Sequence, residues 1–192
     1  MVWQNKVVEK TKRKYEDEVT SLFIPQRTQP PHRGHISMLE AACSMADEVI
    51  IGIGSANIIN KSNPYYSIER EMMLRKSLDD KGLSNYRFIH MPDFNEDKDW
   101  IHYILDNAQL RAGTKIVSGN EWVQDVFREF GYQTLKPEEI IEEPLIDISA
   151  TKLRNMIIED NVEWKKYAAT GTLHYFEIFG GKQRIESFYD RE

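Results

Sequence analysis

The chain has few of the features that would place it outside the cell or mark it as a metal protein. It contains a single cysteine, Cys43, so no internal disulfide is available and a reducing compartment is expected. Cys43 lies among apolar residues in a helical pattern and reads as a small core residue rather than a nucleophile. No His/Cys cluster has the spacing of a zinc site. No apolar run is long enough to span a bilayer, and the polar N-terminus lacks the apolar stretch of a secretory signal. Positive charge is not in excess either. Against 31 Asp and Glu there are 25 Lys and Arg, a net charge of -6, which argues against a general nucleic-acid or membrane partner. A soluble, cytoplasmic protein is the expectation. Repeats and low-complexity linkers are missing, and so is the dinucleotide fingerprint Gly-x-Gly-x-x-Gly; Gly52-Ile53-Gly54 is only a fragment of it.

What is present is an alternation of strand-like and helix-like segments. Residues 1–18, mixed apolar and then strongly charged, read as an N-terminal extension, and residues 19–192 as the main domain with helices at its C-terminal end. Strands are expected at 19–24, 48–53, 86–91, 115–118 and 132–135. Helices are expected at 35–46, 67–81, 100–112 and 121–130, the last stopped by Gly131. With 192 residues the chain is long enough for one domain with a proper core. The alternation predicts an α/β, Rossmann-like architecture, a parallel sheet with helices on both faces. In such sheets ligands sit beyond the carboxyl ends of the strands. The loops 25–35, 54–66, 92–99 and 118–120 all follow strands and should therefore converge on one crevice.

Two segments carry chemistry. Pro30-Pro31-His32-Arg33-Gly34-His35 stands between the first strand and the first helix. A helix start offers unpaired N–H groups and the positive end of a dipole, which suits a phosphate. Gly34 would let the backbone approach that phosphate closely, and two imidazoles three residues apart can point into one cleft and donate to oxygens. The alternative is that one histidine only caps the turn and the other is a solvated loop residue. Far downstream comes Ile148-Ser149-Ala150-Thr151-Lys152-Leu153-Arg154. Ser149 is a credible N-cap, and hydroxyls at a helix start with an arginine one turn in form a polyphosphate site. Alternatively this is an ordinary capped helix with Arg154 on its solvated face.

In this order, His-x-Gly-His and Ile-Ser-x-Thr-x-x-Arg closely resemble the archaeal-type nicotinamide-nucleotide adenylyltransferases, within the nucleotidyltransferase superfamily. The resemblance extends over about residues 20 to 190. Arg27-Thr28-Gln29-Pro30-Pro31-His32 is similar to that family's Arg-Phe-Gln-Pro-Phe-His, and Gly52-Ile53-Gly54-Ser55-Ala56-Asn57 to its Gly-Ile-Gly-Ser-Ala-Gln. Asn63-Pro64-Tyr65 with Glu69-Arg70, Pro92-Asp93 with Trp100 and His102, and Ser118-Gly119-Asn120 also have counterparts. The Arg-Thr-Glu-x-Ile-Ser pattern of cytidylyltransferases is absent. Three departures stand out: Gln26 where the family has glycine, Thr28 where it has phenylalanine, and the added N-terminal arm.

The resemblance implies transfer of AMP from ATP to nicotinamide mononucleotide, giving NAD and pyrophosphate, with Mg2+ arriving on ATP. It implies His32, His35, Arg27 and Arg154 as the catalytic set. Gln29, Gly34, Gly119, Asn120, Ser149 and Thr151 would bind ATP. Asn57, Lys61, Asp93, Phe94 and Trp100 would bind the mononucleotide, Trp100 as a stacking face for the cationic ring unless it is simply the first core residue of its helix. Arg70 would serve the mononucleotide site or pair with Glu69 on a helix surface, and His90, His102 and His174 would be packing or surface residues. The aromatic tail from Trp164 to Phe179 would close the sheet or meet another subunit, and a homo-oligomer is expected. A sister enzyme acting on pantetheine phosphate, FMN or nicotinic acid mononucleotide, or a non-catalytic nucleotide sensor, remains the alternative.

Overall fold

The computed structural model describes residues 21–141 and 146–189. The extension expected over 1–18 lies outside them. Five parallel strands form one sheet: β1 (Ser21–Gln26), β2 (Glu48–Ile53), β3 (Tyr86–His90), β4 (Lys115–Val117) and β5 (Thr134–Leu135), in the order β3-β2-β1-β4-β5. The register pairs Leu22 with Val49 and Ile24 with Ile51, so apolar side chains form rows on each face. Strands this uniformly apolar need cover on both sides, and helices provide it. Leu22, Ile24, Val49 and Ile51 pack with Ile36 and Leu39 of α1 (Arg33–Met45) and Leu74 and Leu78 of α2 (Ser67–Asp79). On the opposite face Phe23, Ile50 and Ile116 meet Trp100, Ile101 and Ile104 of α3 (Asp97–Ala108) and Phe127 of α4 (Glu121–Glu129). Among the described residues no helix is long and apolar enough to cross a membrane.

Three elements end or begin away from the expected positions. α1 begins at Arg33 rather than at 35 because His32 acts as its N-cap. α3 begins at Asp97 and stops at Ala108, where Gln109 turns left-handed (φ 49°). Gly131 (φ 82°) follows α4 as expected. β1 runs on to Gln26, which carries the strand directly into the histidine loop.

After the short α5 (Pro137–Ile140) come α6 (Ala150–Ile158), α7 (Trp164–Tyr167), α8 (Thr170–Phe179) and α9 (Gly181–Glu186). They do more than close the sheet. A Cβ on Gly171 would stand 1.9 Å from the Met73 carbonyl oxygen, so only glycine lets α8 lie this close on α2. That contact brings the Ala169 N–H (3.3 Å) and the Thr172 hydroxyl (2.8 Å) to the Pro31 carbonyl, next to His32. The C-terminal helices thus hold the histidine loop from behind.

Candidate active site

In this strand order the chain reverses direction across the sheet between β1 and β4, and a crevice opens there beyond the strands' carboxyl ends. A cleft of about 730 Å³ occupies it. Its lining comes from four strand ends, as expected: Gln26 and Arg27 after β1, Gly54 and Ser55 after β2, Asp93 and Phe94 after β3, and Gly119 and Asn120 after β4. Both histidines, Gly34, Trp100 and Trp122 complete it.

The histidines form a reciprocal cap. The His32 N–H donates to Nδ1 of His35 (3.2 Å) and the His35 N–H donates to Nδ1 of His32 (3.4 Å), with the rings stacked at 3.6 Å between centroids. Each Nδ1 is an acceptor, so the neutral rings carry their protons on Nε2. That tautomer follows from the hydrogen bonds. Burial pushes the His32 imidazole down to about 4, and burial followed by the neighbouring His32 holds His35 well below its ordinary value. Both are therefore neutral donors at physiological pH. The capping alternative and the ligand-binding reading are thus compatible: each ring caps through Nδ1 and keeps Nε2–H for another partner.

Beside them the chain is held under strain. Thr28 (φ 48°) and Ser55 (φ 50°) both occupy the left-handed region, which is costly for a β-branched residue such as Thr28. Arg70, completely buried, holds both turns together: it donates to the carbonyls of Arg27 (2.5 Å), Gly54 (2.7 Å) and Ser55 (3.2 Å). This replaces both expectations for Arg70, since Glu69 instead accepts from Arg184 and Tyr175. Burial lowers the Arg70 guanidinium to about 10, and the nearby Arg27 charge adds to the depression of both Arg70 and Arg154. Three guanidinium groups crowd one loop, with Arg70 and Arg154 bonded to carbonyl and hydroxyl oxygens, a setting that favours an anion.

Several expected ligand residues are turned elsewhere. Both polar atoms of the buried Gln29 side chain bond the Tyr65 backbone, each at 3.0 Å, so it braces the loop and lies outside the cleft lining. Arg154 is buried, donating to the Gln29 carbonyl (2.6 Å) and the Thr151 hydroxyl (3.3 Å); it clamps the loop from outside the cleft and is not on a solvated face. The Asn57 amide bridges to the Asp93 backbone (3.1 and 2.8 Å), tying the loop after β2 to that after β3. Lys61 lies over the Tyr189 ring, 4.0 Å from its centroid, away from the cleft lining. Ser149 caps α6 through the Lys152 N–H (3.1 Å). Ser149 and Thr151 are exposed at that helix start, while Ile148 just before them lines the cleft 3.7 Å from where a Gly34 Cβ would stand. The start of α6 thus lies beside the start of α1 at the cleft's edge, with Ile148 in the lining and Ser149 and Thr151 outside it.

The opposite wall is aromatic. Trp100 is 7% exposed and belongs to the core, packed on Phe127, yet one side lines the cleft. Trp122, which sequence reasoning passed over as an ordinary position of α4, stands 4.9 Å from it with 43% of its surface exposed. Its indole N–H donates to Asp97 (2.9 Å), and Asn120 caps the same helix. The signal was available: Trp122 follows Asn120 closely, in a loop already expected to face the crevice. Phe94 is also exposed, beside Tyr103.

Comparison with known proteins agrees with this geometry. Residues 27–156 match the cytidylyltransferase-like family profile, a span that includes the histidine loop and most of α6. Nicotinamide-nucleotide adenylyltransferases of Thermococcus sibiricus and Pyrococcus furiosus are each 34% identical over 171 residues, covering 86% and 85% of this chain and 87% and 86% of theirs. In fold, the chain is similar to a bifunctional NMN adenylyltransferase/ADP ribose pyrophosphatase of Francisella tularensis, crystallised with AMP and a Mn ion (TM-score 0.73, 22% identity). The match covers 89% of this chain and 52% of that one, so the chain spans about half that protein's length. With a family profile spanning residues 27–156 and relatives 34% identical over most of both chains, the chain belongs to the cytidylyltransferase-like family and, within it, to the nicotinamide-nucleotide adenylyltransferases.

Proposed function

We propose that this protein transfers AMP from ATP to nicotinamide mononucleotide, forming NAD and releasing pyrophosphate. The observation that carries this is the cleft's division into two walls, a stacked pair of neutral imidazoles at the start of α1 and a pair of tryptophans opposite. A phosphate oxygen of the mononucleotide attacks the α-phosphorus of ATP, and the bond to the bridging α–β oxygen breaks. The nucleophile is already an anion, so no general base is required. The protein must hold two anions together and stabilise charge on the non-bridging and leaving oxygens.

His32 and His35 supply Nε2–H donors to the triphosphate, and Arg27, exposed at the cleft, supplies a mobile charge. Gly34, Ser149 and Thr151, at the helix starts, receive the departing phosphates, while Gly119 and Asn120 line the adenosine side. Arg154 acts by holding the loop, a positioning role in place of direct contact. The pyridinium ring stacks on the Trp100–Trp122 wall, with Asp93 and Phe94 at its edge. The divalent cation enters with the substrate as Mg-ATP. The expected site of action is the cytoplasm, and the expected assembly a homo-oligomer.

The test is direct. Purified protein is incubated with Mg-ATP and, separately, nicotinamide mononucleotide, nicotinic acid mononucleotide, phosphopantetheine and FMN, with dinucleotide and pyrophosphate both measured. NAD formed with equimolar pyrophosphate is the expected result. Turnover with another acceptor alone would reassign the substrate, and ATP binding without turnover on any acceptor would make the protein a sensor.

A further inference from the structure

Gln26 is the last residue of β1, on the same face of the sheet as Leu22 and Ile24, and it lines the cleft. Its backbone carbonyl is occupied by the Gly54 N–H (2.9 Å). Its side-chain amide is not: neither Oε1 nor Nε2 has a hydrogen-bond partner, and neither reaches solvent. The two fully buried glutamines behave differently. Gln29 uses both polar atoms on Tyr65, and Gln124 donates to the Ser118 carbonyl (2.6 Å) and accepts from Arg128. Only the glutamine at the cleft is left unsatisfied among these three. Of the four further unpartnered buried atoms among the described residues, Thr28 Oγ1, Arg70 Nε and Arg154 Nε belong to the same loop or to the arginines clamping it, and Asn63 Oδ1 is the fourth.

A buried amide without partners is costly, and an apolar side chain of similar shape would serve a purely structural role better. Because no bond holds it, the Gln26 side chain can turn into the cleft without breaking one. We infer that Gln26 is a specificity contact for the nucleoside triphosphate, its carboxamide closing on the adenosine half when ATP binds. A phosphate only accepts hydrogen bonds, so it would set its charge against Oε1 and satisfy only Nε2. A sugar hydroxyl or the amino edge of adenine both donates and accepts, and satisfies both atoms. The adenosine half is assigned because Gln26 lies on the sheet face that carries Val117, the residue leading into the Ser118–Gly119 turn, whereas the tryptophan wall belongs to the opposite face. The inference rests on the proposed placement of ATP between the two helix starts.

The experiment measures binding by calorimetry, and thermal stability, for the wild type, Gln26→Leu and Gln26→Glu. Ligands are ATP, its 2′-deoxy and 3′-deoxy analogues, inosine triphosphate, inorganic tripolyphosphate and nicotinamide mononucleotide. Gln26→Leu is expected to bind ATP about tenfold more weakly, the loss of one good hydrogen-bonded contact. Its affinity for tripolyphosphate and the mononucleotide should stay within roughly twofold, and its ligand-free melting temperature should rise. Gln26→Glu, which can only accept and brings charge, should lose ATP by more than Gln26→Leu. One analogue should weaken binding to the wild type while costing Gln26→Leu nothing further, which identifies the contacted group.

Unchanged ATP affinity in both variants, equal loss of ATP and tripolyphosphate, or equal sensitivity of Gln26→Leu to every analogue would each overturn the inference. If Gln26→Leu does not fold, Gln26→Glu decides between these outcomes. The proposed function fails separately: wild type that binds ATP with this pattern yet forms no NAD would leave the Gln26 contact standing and remove the acceptor.

Discussion

The wall formed by residues 27–35 is built almost wholly from hydrogen bonds, whereas the wall running from Phe94 to Trp122 is built from ring packing. On the first, the carbonyls of Arg27, Gln29 and Pro31, the Gln29 amide and the Nδ1 atoms of both histidines are occupied before any ligand arrives. On the second, a buried tryptophan supports an exposed one, with the Trp122–Asp97 bond as a polar tether. The difference matches what the proposed reaction asks of each wall. Phosphate charge develops during the reaction and is best met by donors whose orientation is set in advance. A flat cationic ring needs only a face to rest on. The first wall should therefore govern turnover and the second substrate affinity.

The largest expected effect tests the first wall. His35→Ala should lower kcat by roughly 10²–10³, the usual result of removing one transition-state donor, while changing mononucleotide affinity by no more than a few-fold. Steady-state kinetics with calorimetric binding checks this, and equal losses in kcat and affinity would place His35 in ground-state binding.

On the second wall two tryptophans should separate. Trp122→Ala should raise the KM for the mononucleotide by about tenfold with kcat and melting temperature nearly unchanged. Trp100→Ala should instead destabilise the fold by about 3–5 kcal/mol, as core truncations do. Denaturant melts beside the kinetics read both, and a stability loss for Trp122→Ala as large as that for Trp100→Ala would erase the distinction.

A smaller effect concerns protonation. Folding lowers the His32 imidazole from 6.5 to about 4. Between these values the unfolded chain binds more protons than the folded one. This contribution to stability is therefore complete above pH 6.5 and is lost as pH falls towards 4. Ring ¹⁵N spectra should show the proton on Nε2 in both histidines, as the cap requires, and a His32 midpoint well below pH 6; an ordinary midpoint near 6.5 would contradict the burial of its ring. The smallest change is expected from Asn57→Ala, which unties the loops after β2 and β3 and leaves both histidines and both tryptophans in place. A rise in mononucleotide KM of about two- to threefold is expected, the loss of modest exposed hydrogen bonds.

Much of the fold was legible because its signals are local. The apolar runs of β1 and β2, Ser149 as a cap, and Gly131 after α4 each declare themselves within a few residues, and the structure has all of them. The crevice followed from strand alternation alone. Less legible were the roles of polar side chains whose partners lie far along the chain. Gln29 and Tyr65, Arg154 and Gln29, and Thr172 and Pro31 are bonded pairs that no sequence window contains. Arg70 illustrates the point: a glutamate precedes it and a helix surface was plausible, yet it is fully buried among three carbonyls.

The sequence by itself determined that a parallel sheet with covering helices would form, and that two histidines and a capped helix would stand at its ligand-binding edge. Apolar periodicity and capping act over one or two turns of chain, so residue order is enough to specify them. Tertiary structure alone decided which polar groups face the cleft and which hold it in shape. A buried donor or acceptor must find a partner wherever the fold supplies one. That is why Gln29 and Arg154 became braces, Trp122 was left exposed at the cleft, and Gln26 was left there without a partner.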